Sequence, residues 1–78
     1  MENIDERIKD VMAGVFGVDS ESLNDDSSHD NVEGWDSIKH LDLIVSLEEE
    51  FDVTIPMEEV NNLVSYKYIK MMIQELLG

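Results

Sequence analysis

Three stretches of this chain repeat their apolar residues at helical spacing, and only one stretch alternates in the manner of a strand. That stretch, Phe51-Asp52-Val53-Thr54-Ile55-Pro56, has no second alternating run to pair with, so it is expected as an extended connector. The fold class that follows is all-α. We expect a small bundle of three principal helices plus one short helix, with a long loop between the first and second. Residues 1–78 are expected to form a single domain. There is no cysteine, so neither a disulfide nor a thiolate metal site supports the core, and helix packing must supply its stability.

The first helix is expected over Ile4 to Phe16, where Ile4, Ile8, Val11, Met12, Val15 and Phe16 fall on one face. Asn3 suits its N-cap, with Glu6 three residues on as in a capping box, and Gly17 suits the left-handed position past its end. The last helix is expected over Tyr66 to Leu77 behind an N-capping Ser65. Its core face is Tyr66, Ile69, Ile73 and Leu76, with Met72 and Leu77 at the edges. A short helix should open at Pro56 and run to about Asn62, turning Met57, Val60 and Leu63 inward.

Residues 18–36 are rich in Ser, Asp and Asn, which favour turns and local caps, and Val18, Leu23, Val32 and Trp35 are expected to pin this connection to the core. It does not read as a calcium loop. Counted from Asp25, the sixth position is Asp30 where a glycine is required, and the twelfth is Asp36 where a glutamate is. Loose divalent-ion association stays open, but no metal ligand set is assigned. His29 has no ligand partner at useful spacing and is read as solvated.

Between Gly17 and Glu59 stand fourteen acids and one base, Lys39, within a chain of net charge −14. Such a field repels phosphate, so nucleic acid is excluded as a partner. It serves solubility, or it offers a docking face to basic proteins, and charge alone does not separate the two. The N-terminal stretch lacks the basic and apolar regions of a leader, and no apolar run approaches membrane-spanning length. The expectation is a soluble, cytoplasmic, monomeric protein without membrane insertion.

The middle helix, Ser37 to Phe51, carries two apolar stripes. Leu43, Ile44, Leu47 and Phe51 make a sufficient core face. Ile38, Leu41 and Val45 lie on the other side of Glu48, flanked by Asp42 and Glu49. Either this helix is more fully buried than most, or the second stripe is an exposed protein-docking strip rimmed by carboxylates. At its start, in Gly34-Trp35-Asp36-Ser37-Ile38, either Asp36 or Ser37 can cap the first turn. Lys39 and His40 sit near the positive end of the helix dipole, a conflict that a nearby anion would ease. The alternative is that Lys39 pairs with acids of the loop and His40 packs at the edge of the core. Ser37 and His40 are one helical turn apart, but nothing in the sequence supplies an oxyanion hole or a substrate cleft, so no residue is assigned as catalytic and the chain is expected not to be an enzyme.

Gly34-Trp35-Asp36-Ser37-Ile38, followed by Leu41, Leu43, Ile44, Leu47, Glu48-Glu49-Glu50-Phe51, Val53 and Ile55-Pro56, resembles the acyl carrier proteins over nearly the whole chain. The resemblance implies that Ser37 is esterified to phosphopantetheine taken from coenzyme A by a phosphopantetheinyl transferase, with Asp36 as the supporting motif residue. It also implies that acyl-loading and acyl-processing enzymes with basic patches dock on Ile38, Leu41, Asp42, Val45, Glu48 and Glu49. The arm would supply the thiol that a cysteine-free chain lacks. Ile38 replaces the usual leucine after the serine, and Trp35 and His40 depart from the common fatty-acid-synthesis pattern, which points to a specialised carrier. Stand-alone aminoacyl or peptidyl carriers share the plan, and an unmodified acidic helical adaptor is the remaining alternative.

Overall fold

The computed structural model describes residues 3–78. Met1 and Glu2, which begin the stretch read as lacking a leader, lie outside the described residues. Three of the expected helices form at the expected residues. Helix α1 spans Ile4–Phe16, opened by Asn3 Oδ1, which accepts from the Glu6 amide at 2.9 Å, and closed at Gly17 with φ 70°. Helix α2 spans Ser37–Phe51. A one-turn helix α3 spans Met57–Val60, and α4 spans Tyr66–Leu77 behind Ser65, whose Oγ accepts from the Tyr68 amide.

The periodicity explains the packing. Ile8, Met12 and Phe16 of α1 meet Leu43, Ile44, Leu47 and Phe51 of α2 and Tyr66, Ile69 and Ile73 of α4 in one buried cluster. Each large apolar side chain buried this way contributes about 1.5–3 kcal/mol relative to exposure. Of the 51–56 run expected as a connector, Phe51 closes α2 and Asp52 caps it with φ 53°, so only residues 53–56 form the connector, with Ile55 buried and no strand among the described residues.

The short helix departs from expectation. It ends at Val60 rather than Asn62, because bonds from Asn62 to Glu59 and from Leu63 to Val60 tighten the chain into a turn. Met57, expected inward, is 90% exposed. A single turn has one inward side, and Val60 and the buried Leu63, with Ile55 ahead of the helix, already fill it.

The connection between α1 and α2 is more ordered than its composition suggests. Ser20–Ser22 form a 3-10 turn, and the Asn24 and Asn31 side-chain oxygens accept from the Asp26 and Ser28 amides. Leu23 and Trp35 are buried, with Val18 and Val32 packed against the core, so all four expected anchors hold. An isolated antiparallel bridge between Ser28 and Ser65 staples the segment to the start of α4. The Tyr66 amide donates to Ser27 O at 2.8 Å, and the His29 amide to Val64 O at 3.0 Å.

Two polar clamps hold α1. Arg7 reaches the end of α2, where its Nε donates to Glu50 Oε2 at 3.0 Å, its second nitrogen to Glu50 O at 2.8 Å, and its guanidinium lies over the Phe51 ring. At the other clamp Asp5 accepts from the Tyr66 hydroxyl and pairs with Lys70 Nζ at 3.1 Å. The Tyr66 bond first, and Lys70 second, hold the Asp5 carboxyl below its ordinary value. A lowered carboxyl pKa contributes stability that is present above the ordinary carboxylate range and lost as pH falls through the lowered value. Asp5→Asn should therefore flatten the acid limb of the melting temperature below about pH 4, while superimposable acid limbs for the two proteins would dismiss the clamp. With Arg7 and Lys9 on α1 and Lys67 and Lys70 on α4, four of the five bases lie outside α2.

Candidate functional site

The site is built from a turn. Gly34 has φ 90°, a conformation that favours glycine, and a Cβ placed there would stand a tight 3.3 Å from Phe16 O. The turn sends Trp35 inward, where it stacks on Phe16 with ring centroids 4.9 Å apart, and leaves Asp36 and Ser37 at the surface. Asp36 is the N-cap of α2: its Oδ1 accepts from the Lys39 amide at 2.8 Å. That resolves which residue caps. Ser37 is the first residue of the helix, exposed, and its hydroxyl has no hydrogen-bond partner among the described residues.

His40 packs at the edge of the core. Its Nδ1 accepts from Trp35 Nε1 at 3.1 Å, and its Nε2 lies 2.6 Å from Val60 O. An acceptor role at Nδ1 and a carbonyl opposite Nε2 together require the neutral ring with its proton on Nε2. Lys39, by contrast, is exposed, and no ion pair to it occurs among the described residues, so the expected alternative of pairing with loop acids is not seen. Beside Ser37 lies an open groove of about 530 Å³ lined by Trp35, Asp36, Ser37, His40 and Leu41, with His29, Asn61 and Val64 on the facing side. His29 is exposed, as expected, and lies beside Asp30.

The second stripe of α2 is exposed. Ile38, Leu41 and Val45 are 73%, 60% and 54% accessible, so the reading of a fully buried helix is set aside. Asp42 and Glu49 are exposed beside them. Glu48 is different. It is half-buried, and its Oε2 accepts from the Ile55 amide at 2.8 Å, tying α2 to the connector that leads into α3. Sequence reasoning did not anticipate the Trp35–His40–Val60 link or the contribution of Asn61 and Val64 to the groove. The five-residue spacing of Trp35 and His40 is the one trace of it in the sequence.

A phosphodiester on Ser37 fits this geometry. The amides of Ser37 and Ile38 are first-turn donors without helical partners, and Lys39, without an ion pair among the described residues, follows them in the same turn. The Asp36 carboxylate is a like charge nearby, but its Oδ1 is committed to the Lys39 amide.

Residues 6–67 match the protein family described as "Phosphopantetheine attachment site". Among solved structures, the chain is similar to the holo acyl carrier protein from Geobacter metallireducens. The two share 26% sequence identity, with a TM-score of 0.83 over 94% of this chain and 84% of that one. The resemblance carried by residues 34–56 thus extends to a family match over most of the sequence and to the fold. No helix of the described residues is long and apolar enough to cross a membrane. With a capped helix that begins on an exposed serine, this acyl-carrier-like bundle belongs to the phosphopantetheine-attachment family, as a carrier protein that bears its cofactor covalently rather than as an enzyme.

Proposed function

We propose that Ser37 is the attachment point and that residues 1–78 act as one cytoplasmic acyl carrier unit. The observation that supports this is the division of labour in the first turn of α2. Asp36 supplies the cap, so the Ser37 hydroxyl is exposed and uncommitted. In the attachment reaction the Ser37 Oγ–phosphorus bond would form as the pyrophosphate bond of coenzyme A breaks, with adenosine 3′,5′-bisphosphate as the leaving group and the hydroxyl proton passing to a base of the transferase. The Ser37 and Ile38 amides and Lys39 would hold the phosphodiester there. When bound, the arm supplies a thiol that holds acyl groups as thioesters.

The exposed strip of Ile38, Leu41 and Val45, with Asp42 and Glu49, is the surface we assign to docking by the transferase and by acyl-loading and acyl-processing enzymes. Glu48 contributes from the rim, through its hold on the Ile55 amide. The enzymes served are those of fatty-acid, polyketide or related biosynthesis. Incubation with coenzyme A and a broad-specificity phosphopantetheinyl transferase should add the mass of one arm, and Ser37→Ala should remain unmodified. An unchanged mass for the parent protein with several transferases, or an arm on Ser37→Ala, would overturn the assignment.

A further inference from the structure

Ser37 is presented by a turn whose buried anchor is Trp35, and the edge of that anchor is fastened to His40. The backbone of the turn is held by the Trp35 amide on Val32 O at 3.2 Å and the Asp36 amide on Gly34 O at 3.1 Å. The Trp35 side chain adds its stack on Phe16 and one polar bond, from the indole N–H to His40 Nδ1. Nδ1 accepts only while it carries no proton, and Nε2 is already committed at Val60 O. A second proton on the ring therefore has one place to go, Nδ1, where it would set two N–H donors against each other. The bond to Val60 O would survive, so the loss falls on the buried indole. The two rings meet edge to edge, with centroids 6.2 Å apart and planes 21° from parallel, so a charged imidazole does not gain the indole face in exchange. His40 is half-buried on the open groove beside Ser37, within reach of water. Two other titratable groups line that groove: Asp36, whose carboxylate attracts a charged ring, and His29, which repels one when itself charged. From α3 and the chain after it, Val60, Asn61 and Val64 face the site and carry no charge.

We propose that His40 is a positioning residue for Ser37: its neutral ring holds the Trp35 turn that presents the serine, and a proton at Nδ1 releases that hold, so that presentation of Ser37 weakens on acidification. The release is a property of the fold, and only its effect on loading rests on Ser37 as the attachment point.

The chain has a single tryptophan, so its indole N–H gives one signal in a proton–nitrogen correlation spectrum. That signal is followed in the unmodified protein from about pH 8 to about pH 5, the span over which histidine side chains change charge, together with the ring signals of His29 and His40. His40→Gln is the comparison, since a glutamine amide both accepts and donates but takes up no proton in this span. The expected result is an indole signal that moves with the midpoint of the His40 ring in the parent protein and stays in place in His40→Gln. With coenzyme A and a broad-specificity transferase, the loading rate of the parent relative to His40→Gln should fall severalfold from about pH 8 to about pH 6. The ratio cancels the pH dependence of the transferase itself.

A parent indole signal that stays in place, whether or not the His40 ring takes up its proton, would overturn the proposal. Equal movement in His40→Gln would do the same, by assigning the change to Asp36 or His29. A constant rate ratio would dismiss the positioning of Ser37 even beside a moving indole signal. Failure of both proteins to load at any pH would remove the attachment reading instead, and the indole series would still decide whether the ring holds the turn. If His40→Gln fails to fold, His29→Gln, at an exposed site, takes its place. Its indole signal should follow that of the parent, and a signal that no longer moves would sink the assignment to His40.

Discussion

Replacing Trp35 by alanine should lower the unfolding free energy by about 3–5 kcal/mol, the usual cost of truncating a large buried aromatic residue. A domain of this size has only about 4–12 kcal/mol in total at typical values per residue. The loss has three sources on the page: the indole is buried, it stacks on Phe16, and its N–H satisfies His40 Nδ1. It should also spread beyond the cavity, because His40 without Trp35 keeps only its bond to Val60 O, and α3 is held through that bond. Trp35→Phe separates the contributions. It keeps most of the stacking and strands the His40 acceptor at the edge of the core, and should cost about 1–3 kcal/mol. Urea denaturation of the three proteins measures both steps. A Trp35→Ala cost below about 1 kcal/mol would place the ring outside the core and undo the account of the turn that precedes Ser37.

The second large effect is kinetic. Asp42 and Glu49 flank an apolar strip on a helix that itself carries one base, Lys39. Charge of one sign accelerates encounter with a basic partner without adding much to the final contact. The double substitution Asp42→Asn with Glu49→Gln should slow association with a phosphopantetheinyl transferase by about tenfold at low salt, since steering of this kind spans roughly 10–10³-fold. The dissociation rate should barely change, and the two association rates should converge as salt screens the field. Stopped-flow measurements over a salt series provide the check. Equal association rates at low salt would remove these carboxylates from the docking face.

The three long helices were legible in the sequence because each carries a period and an N-cap that agree, and α1 a stop as well: Asn3 and Gly17 bracket α1, Asp36 opens α2, and Ser65 opens α4. The exposed stripe on α2 was legible for the same reason, as a second period that the core face did not need. What stayed hidden depends on partners far apart in the chain. Met57 was expected inward because a helical pattern was assumed to continue, but α3 is one turn long and other residues had filled its inward side. Glu48 was read as a docking residue, and only the fold brings the Ile55 amide to it, seven residues later. His40 needed both Trp35 and Val60 in place before its role could be read, and Val60 lies twenty residues away. Ser37 is the opposite case. The attachment role we propose for it rests on the resemblance carried by residues 34–56, and the Asp36 cap beside it supports that reading.

The segregation of bases onto α1 and α4 has a consequence for how the molecule moves before it touches anything. With Arg7, Lys9, Lys67 and Lys70 on those helices and the acids concentrated along the connection and α2, the molecule is an electric dipole as well as a polyanion. In the field of a positively charged surface it experiences a torque in addition to an attraction. The torque turns the acidic pole, which bears Ser37, toward the source and the α1–α4 side away from it. Rotational search is thereby shortened, and a partner meets the serine end of the molecule more often than random tumbling would present it.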